Sequence, residues 1–207
     1  MDFVFFGIQG AGKGTQSRIA AEKFNLKIFE TGAELRKIAA ENSPLGAKVK
    51  KIIEAGNLVT TEIVMEIVDN FVAGNLNEKI LFDGIPRSLE QKTQFDEILK
   101  KRGRDFLGIL IDLPIESAKK RLLNRRICAD CKKVFGADFE NENCDNCGGK
   151  LQKRADDTEA AILKRLENFA AQTLPAIEKY GEKIVKVDGE NSVEKVAAEI
   201  EKVLTKL

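Results

Sequence analysis

Gly7-Ile8-Gln9-Gly10-Ala11-Gly12-Lys13-Gly14-Thr15 is the stretch whose reading decides the fold. Before it stands Phe3-Val4-Phe5-Phe6, an apolar run the length of one buried strand, and after it Gln16 to Phe24 reads as a helix. Strand, glycine-rich turn, lysine and helix together form the layout of a phosphate cradle. Glycines let the backbone wrap closely round an anion and aim successive N–H groups at it. The helix N-terminus adds partial positive charge and Lys13 a full one. The strict phosphate-loop pattern has Ser or Thr directly after the lysine, whereas here Gly14 intervenes before Thr15. The other reading is a strand-to-helix turn that binds nothing. Three glycines at this spacing, with Lys13 and Thr15 at the exit, favour a nucleoside triphosphate site built from Gly10, Ala11, Gly12, Lys13, Gly14 and Thr15.

Bulk properties narrow the classes. A chain of 207 residues can bury a sizeable core in one domain, and 43% hydrophobic with 32% charged residues is globular. Lys+Arg 34 against Asp+Glu 33 leaves a net charge of +1, so no overall field marks a nucleic-acid binder. With no histidine, imidazole bases, imidazole metal ligands and histidine triads are excluded. Met1 is followed by Asp2 and then the first strand, and no apolar run is long enough for a membrane. The expectation is a cytoplasmic protein with no membrane partner, in which four cysteines mean metal or free thiols before disulfides.

Outward from the turn, apolar runs alternate with helix-period segments. Strand candidates are Phe3–Phe6, Lys27–Phe29, Lys79–Phe82, Leu107–Ile111 and Lys183–Val187. Between them, sets such as Ile63, Val64, Ile67, Val68, Phe71 repeat near 3.6 residues. The alternation predicts an α/β fold, a parallel five-stranded sheet flanked by helices, with ligands beyond the carboxyl ends of the strands. Two regions interrupt it. Helical patterns follow one another from Thr31 to Ala73, and Ile127 to Asp157 gathers glycine, asparagine and cysteine as an inserted module.

Inside that module Cys128-Ala129-Asp130-Cys131 and Cys144-Asp145-Asn146-Cys147 form two CxxC pairs twelve residues apart. Paired knuckles of this kind place four thiolates round Zn²⁺. With all four positions protein-filled, the zinc is structural. Some thirty residues with few large apolar groups need the metal to fold.

Taken together, these features resemble an adenylate kinase along nearly the whole chain. Thr31-Gly32-Ala33-Glu34-Leu35-Arg36 is similar to the family's first AMP-side motif, Gly56-Asn57-Leu58-Val59 to the second, and Asp83-Gly84-Ile85-Pro86-Arg87 with Gln91 to the third. Arg121 and Arg125 stand at the entry of a lid, Arg154-Ala155-Asp156-Asp157 and Arg165 at its exit. The resemblance implies the P-loop nucleoside monophosphate kinase fold, with a core of 1–29, 74–125 and 158–207, an AMP-binding helical part at 30–73 and a zinc-bearing lid at 126–157. It implies reversible, Mg²⁺-dependent transfer from ATP to AMP giving two ADP, by a monomer. Lys13, Asp83, Arg87, Arg121, Arg125, Arg154 and Arg165 would carry the transfer, with Arg36 on the acceptor. Asp83 would hold waters of the Mg²⁺ on ATP. Thr31 and Gln91 would read the acceptor base, beside Asn57, Leu58, Val59, Gly84, Ile85 and Pro86. The donor adenine would lie between Arg121 and Val134-Phe135, near Asn191.

Phosphoryl transfer supports this on physical grounds. It gathers negative charge, so catalysis is mostly positioning and electrostatics, and planar guanidinium forks suit it. Three positions depart from the family's usual residues: Gln9 stands where proline is common, and Ala33 and Thr61 where aspartate is. Two other readings remain open from the residues alone. A P-loop domain with a zinc ribbon could be a nucleic-acid-dependent ATPase, although the module has few basic residues and only Phe135 and Phe139 as aromatics. A regulator could keep the fold without turnover.

Overall fold

The computed structural model describes residues 1–206. In the first strand, β1 (Asp2–Phe6), successive side chains face opposite sides of the sheet. Phe3 and Phe5 enter one apolar cluster, Val4 and Phe6 the other. Both faces are therefore covered, as an all-parallel sheet requires.

The chain continues through α1 (Lys13–Phe24), β2 (Lys27–Glu30), and three helices without a strand between them: α2 (Thr31–Ala39), α3 (Pro44–Glu54) and α4 (Thr61–Ala73). Then follow β3 (Ile80–Asp83), α5 (Leu89–Lys101), β4 (Phe106–Asp112) and α6 (Ile115–Leu123). The cysteine module holds β5 (Arg126–Cys128), β6 (Val134–Phe135) and β7 (Leu151–Gln152). After it come α7 (Glu159–Asn168), a π-helical turn at Phe169–Thr173, α8 (Leu174–Glu178), β8 (Ile184–Asp188) and α9 (Val193–Leu204). Local signals start many helices: the side chains of Ser43, Ser88, Thr158 and Ser192 each accept a backbone N–H three residues on.

The main sheet has five strands, all parallel, in the order β2-β3-β1-β4-β8. All five expected strands are present, within a residue or two at their ends. The first helix begins at Lys13 rather than Gln16. Gly12, with φ 93°, turns the chain in the left-handed region, so Lys13 and Gly14 already belong to the first helical turn. The small antiparallel sheet β6-β5-β7 was not foreseen. Its strands are two or three residues long, too short for a periodicity to show. No described helix is long and apolar enough to cross a membrane.

Candidate active site

The phosphate turn leaves β1 at the centre of the sheet, where the strand order reverses direction. Gly10 packs against α6 so closely that a Cβ there would lie 2.9 Å from the Ala118 carbonyl oxygen, so no larger residue fits without movement. Lys13 Nζ folds back and donates to the carbonyls of Gly7, at 2.7 Å, and Ile8, at 3.1 Å. Burial lowers the Lys13 pKa to about 8, with Arg87 and Arg125 adding to the effect and Asp83 opposing it.

Asp83 ends β3 directly beside Glu30 at the end of β2. Both carboxylates approach Gly14, where a Cβ would meet Asp83 Oδ2 at 3.6 Å and Glu30 Oε1 at 3.7 Å. Burial raises the Asp83 pKa against the pull of Lys13, and Glu30 raises it further. Glu30 escaped the sequence reading, because only the β2–β3 register puts it next to Asp83.

A continuous cleft of about 1660 Å³ runs from this nest to the helical part and the cysteine module. All six expected arginines, Arg36, Arg87, Arg121, Arg125, Arg154 and Arg165, line it. Burial lowers the pKa of Arg36, Arg87 and Arg154, the last to about 10, and neighbouring guanidiniums lower each of them further. Arg154 Nε is buried without a hydrogen-bond partner among the described residues. Arg121 differs: it is exposed at the end of α6. Asp156 and Asp157 offset part of this charge. Arg165 donates to Asp156 at 2.6 Å and to Asp157 at 3.0 Å. Burial alone would raise Asp156, but Arg165 and Arg36 outweigh it and hold its pKa low. A cleft that concentrates buried, mutually repelling cations is built for a polyanion.

The remaining expected residues divide into those on the cleft and those behind it. Gly10 to Thr15, Thr31, Asn57, Leu58, Val59, Gln91, Val134, Phe135 and Asn191 line the cleft. Gly84 and Pro86 border a small adjoining cavity instead, and Ile85 is fully buried in the core. Ile85 therefore has only backbone to offer a ligand. Thr31 donates its hydroxyl to the Asp83 carbonyl at 3.0 Å, and Gln91 Oε1 accepts the Arg87 N–H at 2.8 Å. The Phe135 ring is turned into the module, 4.4 Å from that of Phe139. Of the departures, Ala33 lines the cleft, whereas Thr61 is buried and donates to Glu90 at 2.8 Å.

In the module the four cysteine sulfurs lie within 4.8 Å of one another. Cys128 and Cys147 are 3.4 Å apart and Cys131 and Cys144 3.6 Å, far beyond a disulfide bond. Four thiolates round one Zn²⁺ would be ~3.8 Å apart, so the donor set fits that ion. The Lys133 amide lowers the Cys131 thiol to about 6. The Gly149 amide pulls Cys147 the same way, but its sulfur neighbours push it up to about 12. Thiols this close cannot all ionise without a cation between them.

Comparison with known proteins agrees with this geometry. The adenylate kinase family model matches residues 5–185. The chain is 35% identical to the adenylate kinase of Methanocella arvoryzae, covering 100% of both chains. It is 36% identical to that of Clostridium tetani, over 99% of this chain and 98% of the other. With that of Petrotoga mobilis it shares 37% identity over 99% and 97%. A match across the phosphate nest, the arginine cleft and the module alike leaves one conclusion: the chain belongs to the adenylate kinase family.

Proposed function

We propose that this protein transfers the γ-phosphoryl group of Mg·ATP reversibly to AMP, giving two ADP. The observation that carries the reading is one continuous cleft joining an anion nest to six arginines, of which Arg121 is exposed and the others are partly or largely withdrawn from water. The nest of Gly10 to Thr15 and Lys13 hold the donor phosphates. Lys13 must first release the Gly7 and Ile8 carbonyls. Arg36 and Arg87 hold the acceptor phosphate, and Arg121, Arg125, Arg154 and Arg165 neutralise charge spread over the moving group. Thr31 and Gln91 orient the acceptor base, with Asn57, Leu58 and Val59 beside it. The donor base lies towards Arg121, Val134 and Asn191.

Asp83 and Thr15 suit Mg²⁺, whose charge offsets that of the donor phosphates. The cysteines suit a structural Zn²⁺ that holds the module together. The helical part at 30–73 and the lid at 126–157 close over the substrates and exclude water, which would otherwise accept the phosphoryl group. The protein acts as a cytoplasmic monomer without nucleic acid. Burial of Phe135 weighs against a base-stacking platform on the module.

ADP formation from ATP and AMP tests the reading. The kinase needs AMP and no nucleic acid. ATP hydrolysis dependent on RNA or DNA but not on AMP would overturn it, and so would nucleotide binding without any turnover.

A further inference from the structure

The mechanism above leaves one polar group of the phosphate turn without a role, the side-chain amide of Gln9. Its Oε1 is buried with no hydrogen-bond partner among the described residues. A buried acceptor left unpaired is unfavourable, so its place here asks for a partner. Gln9 borders both the main cleft and the small adjoining cavity, which Lys13, Gly84 and Arg87 also line. Both cations are engaged by the backbone of their own loops. Lys13 Nζ bonds the Gly7 and Ile8 carbonyls, and Arg87 Nε donates to the Gly84 carbonyl at 2.7 Å. Gln9 thus stands at the junction of the donor-phosphate side and the acceptor-phosphate side.

We propose that Gln9 is a further catalytic residue whose amide Nε2 donates to an oxygen of the phosphoryl group as it passes between Lys13 and Arg87. An amide has one donor end and one acceptor end, and a half-turn of its last torsion exchanges them. Oε1 then accepts an N–H from Lys13 or Arg87, whichever leaves its backbone partner for a phosphate. Nε2 faces the phosphoryl oxygens. The group adds no charge to a site already crowded with anions, as a carboxylate would. A donor placed where transition-state charge develops acts on kcat rather than on ground-state binding.

The inference rests on the phosphotransferase reading, and the experiment separates the two. Gln9→Leu and Gln9→Glu are compared with wild type for kcat, both KM values and melting temperature. Calorimetry compares their affinity for ATP alone with that for ADP, AMP and aluminium fluoride, which mimic the transferring group. Gln9→Leu is expected to lower kcat about ten- to hundredfold with KM little changed, and to weaken the mimic by a similar factor. Gln9→Glu is expected to be worse on both. Unchanged kcat and mimic affinity in Gln9→Leu would overturn the proposal. So would a parallel loss of melting temperature and ATP affinity, which would make Gln9 only a support of the turn. Wild type that forms no ADP removes the phosphotransferase reading and this inference together, whereas an active wild type with an equally active Gln9→Leu removes this inference alone.

Discussion

Arg125 and Asp157 grip each other across the base of the cysteine module, with Nε 2.8 Å from Oδ2 and Nη2 2.6 Å from Oδ1. One residue stands just before the inserted segment and the other at its last position, so the pair closes the segment's neck. Both side chains are largely withdrawn from water, at 15% and 3% exposure. Replacing Asp157 by alanine leaves Arg125 and Arg165 facing Arg154 and Arg36 with less counter-charge. The expected loss is about 3 kcal/mol, or a melting point roughly 6–12 °C lower, read by thermal and urea unfolding. A change within error would mean that the pair is not holding the neck.

Lys13 gives a pH dependence. Its pKa of about 8, against the ordinary 10.5, means that the folded protein binds fewer protons than the unfolded chain between those values. Stability contributed at this position therefore rises with pH from about 8 to 10.5, because burying the charged amine is unfavourable below that window. Phosphate binding favours the ammonium form, so ATP binding takes up a proton above pH 8. The log of kcat/KM for ATP should fall above about pH 8, and calorimetry at pH 8.5 in two buffers should register the uptake. Lys13→Met should collapse turnover with the fold retained. Near-wild-type rates would overturn the assignment of this residue.

Chelation should act on the module and spare the phosphate turn. The module's apolar core is only Cys128, Phe135, Cys144 and Leu151, with Cys131 and Phe139 against it. That cannot hold it folded without the metal. One Zn²⁺ per chain is expected by elemental analysis. Its removal, or Cys144→Ser, should lower the melting temperature and kcat while ATP still binds. A metal-free protein of unchanged stability would contradict the metal's role.

AMP should be preferred over CMP, UMP and GMP as acceptor. Thr31 is 3% exposed, and with its donor on the Asp83 carbonyl its oxygen is left to accept from an amino group. Thr31→Ala should raise KM for AMP several-fold and narrow its lead over CMP, measured with the four acceptors in parallel. Thr61 is expected to take no part, since its hydroxyl serves Glu90.

The sequence made the architecture legible because β1, β3 and β4 are apolar runs and the glycine turn has few other uses. The four cysteines were readable from spacing alone. What escaped depended on register and on which way side chains turn. Glu30 reaches the site only because β2 pairs with β3 at Asp83. Ile85 belongs to the core although its neighbours in sequence reach cavities. Lys13 bonds its own loop, and Gln9 Oε1 has no partner among the described residues. No residue pattern encodes these, since each is settled by groups distant in the chain or by packing.

One cationic cleft is expected to hold both nucleotides at once. The decisive experiment is calorimetric titration with a bisubstrate analogue, two adenosines joined through five phosphates. One site per chain is expected, with an affinity orders of magnitude above that for ATP alone and displacement of both nucleotides. An affinity no better than that of ATP, with AMP still able to bind, would contradict it.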